Sequence, residues 1–237
     1  MKFFNIILFL TVGMLASCAG PHKIMYQLDT LDDARVKFNT RILVRALIDR
    51  RPVNQRKEPR DIGNATFYLG DKHFAEPVDQ AISRCLRLEL ANAGIEVVDP
   101  ANQIPGNPTN VRVDGDILDF HVTRAPAPSG LSPVLSVWKN ERFTFKVRIR
   151  IEMIDTRQHK SIMEKEYSYS DSIVLRSEMM DVQNSTRSNT KTWETAGEEL
   201  AIQYLNNALK VVMTSIRQDI VQQITPNAPV PIGTQNY

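Results

Sequence analysis

The stretch from Arg142 to Asp155, reading RFTFKVRIRIEMID, decides the fold. Phe143, Phe145, Val147, Ile149, Ile151 and Met153 share one parity, and Arg142, Thr144, Lys146, Arg148, Arg150 and Glu152 share the other. Successive side chains of a strand point to opposite faces, so this period of two predicts a strand with a core face and a wet face. Such a strand belongs to antiparallel sheet, because purely parallel strands are covered on both sides.

Working outward, a turn at 156–160 leads to Ile162–Asp171, the expected hairpin partner. Met163, Tyr167 and Tyr169 reach its core face only if Lys165 does too. An edge strand tolerates that, since an inward charge discourages stray pairing. On the other side Val111, Val113, Gly115 and Ile117 alternate, but Leu118, Phe120 and Val122 continue on the opposite parity. A one-residue slip near Gly115–Leu118 is what a β-bulge produces. It gives an outward row of Arg112, Asp114, Asp116, Asp119 and His121. After a polar segment, Trp193, Ala196, Leu200, Ala201, Tyr204, Leu205, Ala208, Val212, Ile216, Ile220 and Ile224 mark a helix over roughly 191–224. Its apolar stripe is broad enough to pack across a sheet.

Nearer the start, Ile42, Val44, Ala46 and Ile48 interleave with Leu43 and Leu47, a central strand from Arg41 to Asp49. Pro52 cannot continue its ladder. A polar loop reaches Ile62-Gly63, and a short strand covers Ala65–Leu69. Phe74, Val78, Ala81, Ile82, Cys85, Leu88 and Ala91 then predict an amphipathic helix closing at Gly94. Ile95–Val98 is the next strand. Strand, helix, strand in this order predicts a crossover between parallel strands. The expected class is α/β, an α+β two-layer sandwich: a mixed, largely antiparallel sheet with two main helices on one face.

The N-terminus is of another kind. Lys2 precedes an apolar run from Phe3 to Leu15, which is the layout of a secretory signal peptide and shorter than the roughly 20 residues of a spanning helix. Leu15-Ala16-Ser17-Cys18 resembles the lipobox of bacterial lipoproteins, in which the cysteine is diacylated, the leader removed and the new amine acylated. The expected organisation is a signal peptide over 1–17, lipidated Cys18 and a tether over 18–40, one domain over 41–224 and a flexible tail over 225–237. Each acyl methylene buried in a bilayer contributes about 0.8 kcal/mol, and two or more chains anchor stably. Ala19 rather than Asp follows the cysteine. By resemblance to sorting in enteric-type bacteria, that implies the outer membrane, with the body in the periplasm.

Twenty-nine Lys and Arg against 27 Asp and Glu give a net charge of +2 over 237 residues. So near a balance argues against a dedicated nucleic-acid binder. With Cys18 acylated, Cys85 alone remains, so no internal disulfide is expected. Its place on the apolar face of a helix predicts a buried, inert thiol.

Several motifs together resemble the YajG-type family of bacterial lipoproteins. They are Val44-x4-Asp49-x-Arg51, a polar loop ending in Ile62-Gly63, a helix closing in Ala93-Gly94, and Val113-Asp114-Gly115-Asp116-Ile117-Leu118-x-Phe120. The resemblance covers most of residues 40–222. It implies an α/β sandwich on an outer-membrane anchor, without established enzymatic activity. The loop over 124–140 and the Pro-rich tail depart from that pattern.

Asp114, Asp116, Asp119 and His121 have the chemistry of a divalent-metal site. If the strands over 111–123 and 142–155 pair, they lie instead beside Lys146, Arg148 and Arg150, with Glu164 and Glu166 flanking. A charge ladder is the expected arrangement, with no metal and no cofactor. Asp49 and Arg51 sit at a strand end, where ligands of α/β proteins bind and where such a pair also ties down a loop. Zinc spacings, phosphate loops, Cys-x-x-Cys and Gly-x-Ser-x-Gly are missing from the sequence, so no enzyme is expected. Leu131, Leu135, Val137 and Trp138 form either a docking patch for a partner or lipid, or a lid folded onto the core. The expected function is non-enzymatic binding or assembly in the envelope, through the bilayer at Cys18 and a protein partner. The alternative is an accessory lipoprotein of lipid or solute transport, which calls for an acyl-sized cavity between sheet and helices.

Overall fold

The computed structural model describes residues 24, 26, 28, 38, 40–57, 67–68, 70–100, 109–126, 141–175 and 190–225. The signal and lipidation motif Leu15, Ala16, Ser17 and Cys18, the loop residues Leu131, Leu135, Val137 and Trp138, and nearly all of the tail lie outside them. The strands are β1 (Arg41–Val44), β2 (Ile48–Asp49), β3 (Phe67–Tyr68), β4 (Glu96–Val98), β5 (Val111–Pro126), β6 (Glu141–Asp155) and β7 (Lys160–Leu175). The helices are α1 (Val53–Lys57), α2 (Val78–Asn92) and α3 (Thr190–Ile224). The sheet runs β4-β1-β5-β6-β7, with β2 and β3 also on β5. It is mixed: β1 is parallel to both β4 and β5, whereas β5, β6 and β7 form an antiparallel meander.

β6 sits inside that meander, which is why its alternation is strict. All six of its core-parity residues are buried, Phe143 through Met153. Fully burying a side chain of this kind contributes about 1.5–3 kcal/mol. The ladder between β5 and β6 slips between Ile117 and Asp119. That bulge moves the core parity from Val113 and Ile117 to Phe120 and Val122, all buried. Gly115 is required within β5, because a Cβ there would lie 2.5 Å from the Arg150 carbonyl oxygen and 2.8 Å from Leu47 Cδ2.

The run from Arg41 to Asp49 is not one strand. Val44 pairs with Val113 and Ile48 with Asp116, so β5 advances three residues while this segment advances four. The extra residue turns Leu47 into the core and leaves Ala46 and Ile48 outside. The freed Leu47 N–H donates to Ser83 Oγ on α2 at 2.8 Å, and that hydroxyl donates to the Asp79 carbonyl at 2.6 Å. The polar loop beyond Pro52 opens as α1 instead of irregular chain.

α2 joins β1 to β4 as the expected parallel crossover. It ends with the N–H of Gly94 on the Ala91 carbonyl and the N–H of Ile95 on the Leu90 carbonyl. This motif needs the left-handed φ of 83° that Gly94 adopts. The buried stripe is Val78, Ala81, Ile82, Cys85, Leu86, Glu89 and Leu90. Leu88 and Ala91, expected inside, face outward, because a period of 3.6 returns to 89 and 90 after 85 and 86. Cys85 is fully buried, and burial pushes its thiol up to about 12.

α3 lies across β6, β7 and β5 and touches α2, so both main helices cover one face of the sheet. Leu205, Ala208, Leu209, Val212, Met213, Ile216 and Ile220 form its buried stripe. Tyr204 stacks on Phe145 with ring centroids 5.1 Å apart. Part of the segment expected as a tether belongs to this body. Ile24 is buried, Tyr26 and Phe38 pack against the core, and the Phe38 N–H donates to the Gly94 carbonyl at 3.1 Å.

Candidate functional site

The two main helices, α2 and α3, occupy one face of the sheet, so polar chemistry collects on the other. There the bulge in β5 and the alternation of β6 set acids and bases side by side. Asp116 binds Arg150 at 3.1 Å and Arg50, just past β2, at 2.8 Å. Asp119 receives Arg148 at 2.6 Å, Lys146 at 3.2 Å and Gln55 Nε2 at 2.5 Å. Arg148 continues to Glu166 on β7 at 3.4 Å. The expected charge ladder is therefore present. Among the described residues no group of three or more His, Cys, Asp or Glu is placed to hold a metal ion.

The ladder departs from expectation at both ends. Asp114 faces Glu152, not a base, and Glu152 faces Glu164, so three carboxylates lie in a row across β5, β6 and β7. Like charges directly opposite are unfavourable. Asp114 is relieved by Arg112 at 2.9 Å and Arg45 at 3.8 Å. At the other end Asp119 and His121, expected in solvent, are buried at 4% and 9% exposure. α1 lies against this part of β5 and brings Gln55 onto Asp119. Burial alone would raise the Asp119 carboxyl, but Gln55, Lys146 and Arg148 outweigh it and hold the group below the usual range. Burial pushes His121 down to about 4, against the pull of Asp119 and helped by Lys146 and Arg51.

Asp49 and Arg51 are the fastening of α1 rather than an open site. The Arg51 side chain is 1% exposed. It donates to both Asp49 carboxylate oxygens, to Asp71 at 2.6 Å and to the Phe120 carbonyl at 3.3 Å. Burial would raise the Asp49 carboxyl, but these hydrogen bonds keep it below its ordinary value. One guanidinium thus ties the end of β2, the turn before α2 and the bulged strand into one unit.

At the Asp114 end of the ladder lies a cleft of about 390 Å³. Arg45, Ile48, Arg50, Asp116, Arg150 and Glu164 are among the residues that line it. Arg45 and Arg50 are each 57% exposed, and Ile48 is 53% exposed. The break between β1 and β2 creates the cleft by turning Ala46 and Ile48 outward. The sequence read as an unbroken strand hid it. Chemically the cleft offers guanidinium donors, carboxylate acceptors and one apolar contact, which suits recognition of a mixed-charge surface. The space between sheet and helices, by contrast, is filled by Leu86, Leu90, Ile149, Met153 and Leu205, all 0% exposed.

A second polar group escaped the sequence altogether. Glu89 on α2 is fully buried and accepts from Arg217 on α3 at 3.0 Å and from the Tyr26 hydroxyl at 2.6 Å. Burial, reinforced by Glu89, pushes the Tyr26 phenol far up.

No protein-family model matches the chain, and no curated protein matches it in sequence. Among solved structures, a Xanthomonas campestris protein of family DUF330 is similar at 11% identity and a TM-score of 0.50, over 88% of this chain and 98% of that one. A protein described as a homolog of neuraminyllactose-binding hemagglutinin, from Helicobacter pylori, is similar at 13% identity and a TM-score of 0.46, over 86% and 99%. A lipoprotein from Neisseria meningitidis follows at 12% identity and a TM-score of 0.31, over 70% and 99%. At such identity the Xanthomonas likeness is one of fold alone.

Proposed function

We propose that the chain is a bacterial envelope lipoprotein, held at the periplasmic face of the outer membrane through acylated Cys18. Its folded body acts by non-enzymatic binding of another envelope protein. The observation that carries the placement is Leu15-Ala16-Ser17-Cys18 behind an apolar run. No helix among the described residues is long and apolar enough to cross a membrane, a statement that leaves β-barrels aside. The open face of the sheet supports the binding role. Its acids and bases pair with one another around the cleft, and the half-exposed Arg45 and Arg50, with Glu152 and Glu164 beside them, present the charge that a partner would meet. A transport accessory would seat an acyl chain between sheet and helices, and the side chains filling that space favour a protein partner instead.

Cys18→Ser tests the anchor. The parent chain should incorporate an alkyne fatty acid and sediment with the membranes, and the variant should lose both properties. Equal labelling or equal membrane retention of the variant would defeat the placement. For the binding role, a photo-crosslinking residue in place of Ile48 should give a defined adduct in intact cells, lost in Arg50→Glu.

A further inference from the structure

β7 ends the sheet: among the described residues it pairs with β6, and its other edge meets no described strand. A long edge strand is a template for another chain unless its side chains forbid pairing. Those of β7 specify one partner. Outward from Ser168 in both directions, the chemistry mirrors itself. Tyr167 answers Tyr169 and Glu166 answers Ser170. Lys165 then answers Asp171 and Glu164 answers Ser172, while Met163 answers Ile173 and Ile162 answers Val174. We infer that two copies of this chain associate by antiparallel pairing of their β7 edges, with Ser168 on the two-fold axis. The inference does not depend on the anchor.

In this register each residue meets one of its own parity, so both helical layers lie on the same side of a continuous sheet. On the helix face, Lys165 of each copy meets Asp171 of the other. Lys165 is held there by Asp219 at 2.6 Å and lies 5.1 Å over the Tyr167 ring. An ammonium has three donors, so Asp219 does not exhaust it. Asp171 is exposed, with the Tyr169 hydroxyl at 3.4 Å and the Ser172 N–H at 2.7 Å. Partly buried Met163 and Ile173, already packed on the core, extend it across the junction. On the open face Ile162 and Val174, 41% and 47% exposed, cover each other.

Neighbouring registers lose these matches. A shift by two residues one way sets Met163 against Asp171 and Lys165 against Tyr169. The other way sets Lys165 against Ile173 and Glu164 against Val174. The inward lysine that repels an arbitrary strand finds its counter-charge in one alignment, so specificity comes from the repulsive element as much as from the attractive one.

The test uses the full chain, purified and oxidised with copper phenanthroline. Ser168→Cys should give a disulfide-linked dimer on a non-reducing gel, above the level of the parent chain with its Cys18 and buried Cys85. Ser172→Cys should not, because its two copies would lie about 26 Å apart at ~3.3 Å per residue. Asp171→Lys, which opposes Lys165 with a like charge, should lower the Ser168→Cys crosslink at least ~10-fold. Mixing those chains with Lys165→Asp chains should restore it, since each then meets an opposite charge, and light scattering should report a doubled mass. A scattering monomer, a crosslink equal at Ser172, or indifference to Asp171→Lys would each overturn the inference.

Discussion

At the scale of single residues, the charged groups that matter most are the ones removed from water. His121 is held neutral by burial, at about 4 against an ordinary 6.5. Between those values the unfolded chain binds a proton that the folded one does not, so stability is complete above pH 6.5 and falls as pH drops toward 4. The loss amounts to roughly 3 kcal/mol at most. Urea unfolding from pH 7.5 to 4.5 should show the decline, and His121→Gln should flatten it. Glu89 gives a second case. Arg217→Met strands its buried carboxylate and should cost about 3–5 kcal/mol, whereas adding Glu89→Gln should recover most of that. Equal losses in the single and double variants, measured by denaturant titration, would contradict a buried charge pair. The burial of neither group was legible in the sequence, although His121 itself stood out in the row on β5. Glu89 and Arg217 are 128 residues apart, and no local pattern marks a carboxylate on an otherwise apolar stripe as paired.

Elements were legible in proportion to how plainly one face is wet. β6 could be read residue by residue because solvent and core alternate along it, and the bulge in β5 showed as a slipped parity. The segment from Arg41 to Asp49 misled because it is apolar on both parities, so an inserted residue leaves no trace in its pattern. α1 was hidden because five residues give too little periodicity to distinguish helix from loop. The joint between β1 and β2 depends on one hydroxyl. Ser83→Ala removes the acceptor of the Leu47 N–H and leaves a buried donor unpaired, at a cost of about 1–3 kcal/mol. Hydrogen exchange should then accelerate at Leu47 and Ile48 more than in β6. Uniform acceleration across the sheet would place the effect elsewhere.

Considered as a whole molecule, the sheet joins two unlike halves. β5, β6 and β7 are consecutive in the chain and neighbours in the sheet, whereas β1 is wedged between β4 and β5, both of which come later in the chain. A ribosome or a translocation channel delivers the polypeptide from its N-terminus, so β1 emerges before either neighbour has been made. Until Glu96 appears Ile42 and Leu43 have no ladder to join, and Val44 waits for Val113, so a nascent apolar strand in that state invites misassociation or a holding chaperone. The topology predicts an order in which the meander condenses under α3 and β1 joins it afterwards. Stopped-flow chevrons should show Val147→Ala slowing refolding, and Val44→Ala mainly hastening unfolding. A strand flanked on both sides in the finished sheet would then be the last to find its place.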